Sequence, residues 1–474
     1  MKVDNELKQS IIDWIDVHKE QMIRDINTLV SIESVSTKSE GEHPFGEGPA
    51  RVLDAALEMG KDYGFRTQNH QYYAGSILMG NGQRELGILT HLDVVPAGPD
   101  WEYEPFHCTL KDGKLIGRGV ADDKGPAVAA LYAMRCLYEL AVPMVHSVRL
   151  IMGCSEETGS ADMAYYVKHC KIPDFSFVPD AEFPVCNGEK GILSADLVGP
   201  QLSDKIGELS GGEVSNAVAA HAKITLKSQS IDQVLQKLGD NKGDLVVSEG
   251  PHGVTISAKG IPSHAAFPEG SVNAIYKLCK AMVDCDLLEG EDRDALAFVV
   301  KVLETTDGAG LAIKSRDDIS GETTCIGGLL SVKEGRIVLN VNIRYCISTD
   351  SQQLRNKISQ TCEEHGFSMG DCFESKPLYI PADHPAVAFL TETYNDLTGQ
   401  DLAPYVIGGG TYAREMPNSV AFGAGRPGSM LPTETGRGGM HQPDESIAVE
   451  DLVNAAKIYA IALLRLDGID FTAQ

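Results

Sequence analysis

Gly117–Gly125, GRGVADDKG, is a glycine-punctuated turn that delivers two adjacent carboxylates, Asp122 and Asp123, and the apolar run Ala127–Leu140 begins just behind it. The run predicts a helix, and Pro126 suits its first turn, where a missing N–H costs nothing. The carboxylates therefore fall at a helix N-terminus. Aspartate in that place is also ordinary capping chemistry, so the stretch alone does not separate a cap from a ligand. Its company does. His91, Glu156, Glu157, Asp180 and His441 sit in similar glycine- or proline-punctuated breaks, several of them directly after apolar, strand-like runs. Asp122 is read as a carboxylate shared between two metal ions.

Outward from that turn, the strand-like runs set the fold class. Leu86–Thr90 leads into His91-Leu92-Asp93, Ser147–Cys154 into Ser155-Glu156-Glu157, and Phe175–Val178 into Pro179-Asp180. SVRLIMGC is a nearly continuous apolar segment, as a parallel strand buried on both faces requires. All three strands deliver acidic or imidazole groups at their carboxyl ends, the edge where open α/β sheets bind ligands. In an extended segment side chains two apart share a face. His91 and Asp93 then suit a metal-bound imidazole and the carboxylate that fixes its tautomer. Ser76–Met79 precedes Leu86–Thr90, the two being joined at Gly80-Asn81-Gly82, a hairpin-type turn signal.

Further out, residues 6–30 read as an amphipathic helix and Gly48–Tyr63 as a second helix. After Asn187–Gly191 the pattern changes to alternating, half-exposed strands such as Gly253–Lys259 and Arg336–Tyr345, with helical stripes between them. This predicts an α+β domain inserted into an α/β one: residues 1–189 and 382–474 form the first, 190–381 the second. The chain returns near Tyr379-Ile380-Pro381 to a helix around Ala386–Leu397, a strand at Ser419–Gly423, a glycine-rich loop holding His441, and a closing helix Val449–Leu464.

The 474 residues carry 41 Lys and Arg against 67 Asp and Glu, a net charge of −26, which sets nucleic acid and anionic membrane aside as partners. Eleven scattered cysteines without a CxxC pair point to a reducing compartment, and the polar N-terminus to the cytoplasm.

Histidine nitrogens and carboxylate oxygens without cysteine suit zinc in a hydrolytic site, or manganese or cobalt. One structural zinc needs four ligands; His91, Asp122, Glu157, Asp180 and His441 make five, with Glu156 left over. Two metals about 3.5–4 Å apart hold a hydroxide and polarise a carbonyl oxygen together. Glu156 would take the proton from the water bridging them and pass it to the leaving amine.

THLDVVPAG, GRGVADDKGP, SEETGS, PDAEFP, GIPSHAAFPEGSVNAI and HQPDE together resemble the M20 metallopeptidase family, and within it the PepV-type dipeptidases that cleave Xaa-His or carnosine-type dipeptides. The resemblance runs from about Thr90 to Glu445. It implies a mixed-sheet, two-metal aminopeptidase-like catalytic domain with an inserted lid. His91 and Asp180 would hold one ion, Glu157 and His441 the other, with Asp122 bridging and a cis peptide bond after it. Glu156 would be the general base, with Asp93 behind His91. In the inserted domain, His264 matches a histidine that stabilises the oxyanion, and Arg344 and Asn216 match positions that hold the substrate carboxylate. After the asparagine relatives often read N-x-V-P where this chain has Asn216-Ala217-Val218-Ala219. Gly408–Thr411, with Gly409, Gly410 and Thr411, looks like a loop whose backbone approaches substrate. The expectation is a monomeric enzyme hydrolysing unblocked dipeptides. The alternative is an amidohydrolase of the same family that deacylates N-acyl amino acids. The length of the insertion favours the former.

Overall fold

Glu85–His91 and Ser147–Gly153 are apolar through their middles, apart from Arg149, and buried almost throughout, and each takes a neighbour on both sides. The computed structural model describes residues 4–39, 41–429 and 436–471. The described residues divide into two units, one drawn from 1–187, 379–405 and 410–474, the other from 188–378 with 406–409.

In the first unit six neighbouring strands of the central sheet run in the order Arg66–His70, Ala74–Met79, Ser147–Gly153, Glu85–His91, Phe175–Val178, Ser419–Ala421. The last four are parallel and Ala74–Met79 runs antiparallel to its neighbours on both sides, so the sheet is mixed. The expected pairing across Gly80-Asn81-Gly82 does not occur. Ser147–Gly153 lies between the two strands that this turn joins. The turn signal is local, whereas a fully buried strand belongs at the sheet's centre. The connecting loop crosses the start of Ser147–Gly153, where Ser147 donates from its amide to Arg84 O at 2.9 Å and from its hydroxyl to Gly82 O at 3.1 Å.

Helices Asn5–Val30, Lys124–Glu139 and Val449–Leu466 pack against one another, and Pro385–Thr398 packs on the last of them. Lys124–Glu139 lies on Glu85–His91 and Ser147–Gly153, and Glu47–Asp62 lies on the two antiparallel strands. Their apolar faces and the sheet form one continuous core. None of the eleven cysteines forms a disulfide, and among the described residues no helix is long and apolar enough to cross a membrane.

The second unit is an eight-stranded antiparallel sheet with its own core. Its order is Val246–Gly250, Gly253–Lys259, His221–Leu226, Ile206–Gly211, Thr324–Lys333, Arg336–Tyr345, Gly191–Gln201, Ser368–Ser375. Burial alternates residue by residue along Gly191–Gln201 and Gly253–Lys259, as in a sheet covered on one face. Helices Ala274–Asp284 and Gly290–Leu303 are part of that core.

Candidate metal centre

The parallel strands end where the sequence changes from apolar to ionisable, so His91 at a strand end and Glu156, Glu157 and Asp180 in the loops after two others lie at one edge of the sheet. The Asp122 turn enters from the start of the helix Lys124–Glu139. That turn closes only with glycine at 125, because a Cβ there would lie 2.0 Å from Val120 O. The Asp122–Asp123 peptide bond is cis. Asp123 stands at the N-cap position but makes no capping bond; its carboxylate accepts the His91 N–H at 3.2 Å instead.

Asp122 is divided between two imidazoles. Its Oδ1 lies 2.9 Å from His91 Nε2 and its Oδ2 lies 3.0 Å from His441 Nε2. His441 Nε2 is also 3.1 Å from Glu157 Oε1, and His91 Nε2 is 3.9 Å from Asp180 Oδ2. One ligand atom from each of His91, Asp122 and Glu157 falls within a 4.8 Å cluster. His91 is 1% exposed, whereas the His441 side chain is 53% exposed.

The His91 ring is oriented from behind. Its Nδ1 lies 2.9 Å from the Asp93 carbonyl oxygen and 3.5 Å from the Asp93 carboxylate, which leaves Nε2 facing Asp122. The Asp93 carboxylate has a second task that the sequence did not announce. Its two oxygens accept the N–H groups of Glu156 at 3.1 Å and Glu157 at 3.2 Å.

The electrostatics are those of a cation site. Burial pushes the carboxyls of Glu156, Glu157 and Asp180 above their usual range, and the Asp122 charge adds to each. Burial pushes Asp122 the same way, but hydrogen bonds to His441 and His91 outweigh it and hold that carboxyl low. A group of mutually repelling carboxylates, wholly or partly buried around two imidazoles, fits divalent cations by donor type and by charge.

In the second unit Arg344 is buried rather than surface-exposed, and it donates to Asn342 Oδ1 at 2.9 Å and Gly408 O at 3.0 Å. His264 is half-buried, and its Nδ1 accepts the Ala266 N–H at 3.3 Å. Asn216 is exposed, and its carbonyl accepts the Ala265 N–H at 2.8 Å. Gly409 belongs to this unit, whereas Gly410 and Thr411 belong to the first. The Thr411 hydroxyl caps the turn Tyr412–Arg414 by accepting the Ala413 N–H at 3.1 Å.

Two supporting carboxylates went unassigned in the sequence. Glu445 Oε1 accepts the N–H groups of Gly119, Ala121 and Asp122 at 3.1, 2.9 and 3.2 Å, while its Oε2 accepts Arg118 Nη1 at 2.7 Å. Asp162 accepts the N–H groups of Cys154 and Ser155. Only HQPDE, which places Glu445 four residues after His441, carried a hint of the first.

Comparison with known proteins gives one consistent answer. The sequence profile of peptidase family M20/M25/M40 matches residues 87–465. A Bacillus subtilis (strain 168) protein named "Putative dipeptidase YtjP" is 34% identical over 467 residues, covering 94% of this chain and 97% of that protein. Among solved structures, human carnosine dipeptidase 1 aligns with a TM-score of 0.60 at 16% identity, over 98% of this chain and 99% of that one. The Bacillus subtilis YXEP protein, described as a dinuclear metal binding peptidase, aligns with a TM-score of 0.50 at 11% identity, over 96% and 100%.

Proposed function

The chain belongs to peptidase family M20/M25/M40, and on that premise we propose that it is a two-metal dipeptidase hydrolysing the peptide bond of free, unblocked dipeptides. The observation that carries the chemistry is Asp122, whose two oxygens meet two different imidazoles. The dipeptide substrate is supported by the name of the Bacillus subtilis relative, which matches nearly end to end.

His91 and Asp180 would hold one divalent ion, Glu157 and His441 the other, with Asp122 between them. Zinc suits this donor set, as do manganese and cobalt. When bound, the two ions supply a water acidic enough to attack at neutral pH and Lewis acidity toward the scissile carbonyl. Glu156 takes the proton from that water as the C–O bond forms. It returns the proton to the amide nitrogen as the C–N bond breaks, so two free amino acids leave. Asp93 keeps His91 and the Glu156–Glu157 backbone in place. We assign the developing oxyanion to His264 and the substrate's terminal carboxylate to Arg344 with Asn216. Backbone contact is assigned to Gly409, Gly410 and Thr411. A reducing, cytoplasmic location accords with eleven cysteines outside any disulfide. A single chain suffices for activity in this reading, and sedimentation of the active species as a monomer checks it.

The test is hydrolysis of free dipeptides, dipeptide amides and N-acyl amino acids, with and without chelator. Free dipeptides should be cleaved, chelator should abolish turnover, and Zn²⁺, Mn²⁺ or Co²⁺ should restore it. The amide should lose about ten- to 150-fold in kcat/KM, the worth of a contact to a charged group, and Arg344→Ala should erase that difference. Preferential cleavage of N-acyl amino acids would replace the dipeptidase reading with a deacylase.

A further inference from the structure

Two buried side chains outside the ligand set meet at the end of the strand Ser147–Gly153. Asp162, in the first turn of the helix Ala161–His169, is 0% exposed, and Tyr412, in the turn Tyr412–Arg414, is 1% exposed. Asp162 Oδ2 accepts the N–H groups of Cys154 at 2.6 Å and Ser155 at 2.7 Å. The Tyr412 hydroxyl donates to the same oxygen from 250 residues away in the chain. The strand makes room for the pair, since a Cβ on Gly153 would lie 2.0 Å from the Tyr412 hydroxyl oxygen and 2.4 Å from Asp162 Oδ2. The Tyr412 ring meets the His91 ring edge-on, with centroids 6.1 Å apart.

The amides held here continue directly into those held by Asp93. Cys154 and Ser155 donate to Asp162, and Glu156 and Glu157 donate to Asp93. Four consecutive N–H groups therefore end on two buried carboxylates. The strand ladder does not reach them: the neighbouring strand ends at His91, opposite Gly153. Burial holds the Asp162 carboxyl up at about 6, with the Asp93 charge adding to that, and the bonds from Tyr412 and the amides act in the opposite sense, favouring the charged acceptor.

We propose that Asp162 and Tyr412 are a positioning pair that fixes the backbone from which Glu156 and Glu157 project, so that the Tyr412 hydroxyl controls turnover without touching substrate. The inference rests on the roles given to those glutamates above.

Tyr412→Phe removes only the hydroxyl and keeps the ring against His91. Amide hydrogen exchange at residues 154–157 should become about tenfold faster, while the strand Ser147–Gly153 stays protected. With a free dipeptide, kcat should fall about tenfold with KM within about twofold. In an Asp162→Asn background the same change should add little, because the partner is already compromised. A Tyr412→Phe enzyme with lower thermal stability but unchanged kcat and unchanged exchange at 154–157 would overturn the proposal. So would independent, multiplicative losses in the double variant. Should Asp162→Asn fail to fold, the exchange and kinetics of Tyr412→Phe decide alone. If the wild-type chain cleaves no free dipeptide, the functional reading falls, while the exchange measurement still tests the pair.

Discussion

Asp93→Asn is the substitution whose cost follows most directly from geometry. The side chain is 0% exposed, and Asn keeps its shape, so no cavity opens. Its Oδ1 now accepts the Glu156 N–H at 3.1 Å and its Oδ2 the Glu157 N–H at 3.2 Å. In Asn one of these positions becomes an NH₂ that points its protons at a backbone N–H. One bond to a charged acceptor is lost, worth about 1.5–3 kcal/mol, and a buried donor is left facing another donor. If the Glu156 amide loses its partner the loss falls on kcat; if the Glu157 amide does, it falls on metal retention. The expected loss in kcat/KM is about ten- to 150-fold or more, with metal content after dialysis below that of the wild type. Steady-state kinetics on a free dipeptide and metal analysis of the same preparation read both. Wild-type kcat/KM with full metal content would refute the idea that these two amides depend on Asp93.

Glu156→Gln should keep its metal and lose turnover by about 10²–10⁴-fold, the usual worth of general acid–base catalysis; a near-normal kcat, or loss of metal, would move the base to Glu157. Away from the centre, burial and then the Arg149 charge push the His70 imidazole from 6.5 down to about 4. The folded state therefore binds fewer protons than the unfolded chain between about pH 6.5 and 4, and stability falls as pH drops through that window, by about 2 kcal/mol from pH 7 to 5. His70→Gln should flatten that part of the profile in urea unfolding, and an unchanged slope would show that His70 does not titrate there.

His91, Glu156, Glu157 and Asp180 were legible as a group in the sequence because each stands at or just beyond the end of a buried parallel strand, whose apolar continuity is a strong signal, and because short loops leave little doubt about where the chain goes next. Helix ends were legible for a similar reason; Glu47–Asp62 differs by one residue at each end from the expected 48–63. Pairing was less so. Gly80-Asn81-Gly82 announces a turn and says nothing about partners, which burial of Glu85–His91 decides. An arginine in the alternating pattern of Arg336–Tyr345 is as compatible with an exposed face as with a buried one. The burial of Arg344 depends on Asn342, two residues away on the same face, and on Gly408, more than sixty residues away. Asp162 and Tyr412 gave no signal at all, since a side-chain bond spanning 250 residues leaves no local pattern.

What made those residues invisible also explains how so acidic a centre holds together. Asp122, Glu156, Glu157 and Asp180 push one another's carboxyls up or must be countered by imidazoles, so their loops would tend to separate unless the backbone itself were fixed. Three further buried carboxylates fix it. Asp162 takes the amides of Cys154 and Ser155, Asp93 those of Glu156 and Glu157, and Glu445 those of Gly119, Ala121 and Asp122. Burying a carboxylate is costly, and several N–H donors to each offset that cost. Glu445 does so from the loop that also brings His441, so one segment supplies an imidazole of the centre and anchors the backbone of the carboxylate between the two imidazoles. Arg118, 1% exposed and stacked over Trp101, pairs with the other Glu445 oxygen and supplies the positive charge this arrangement needs. The Asp122, Glu156 and Glu157 side chains are thus positioned through their main chain, which leaves their carboxylate oxygens available to cations.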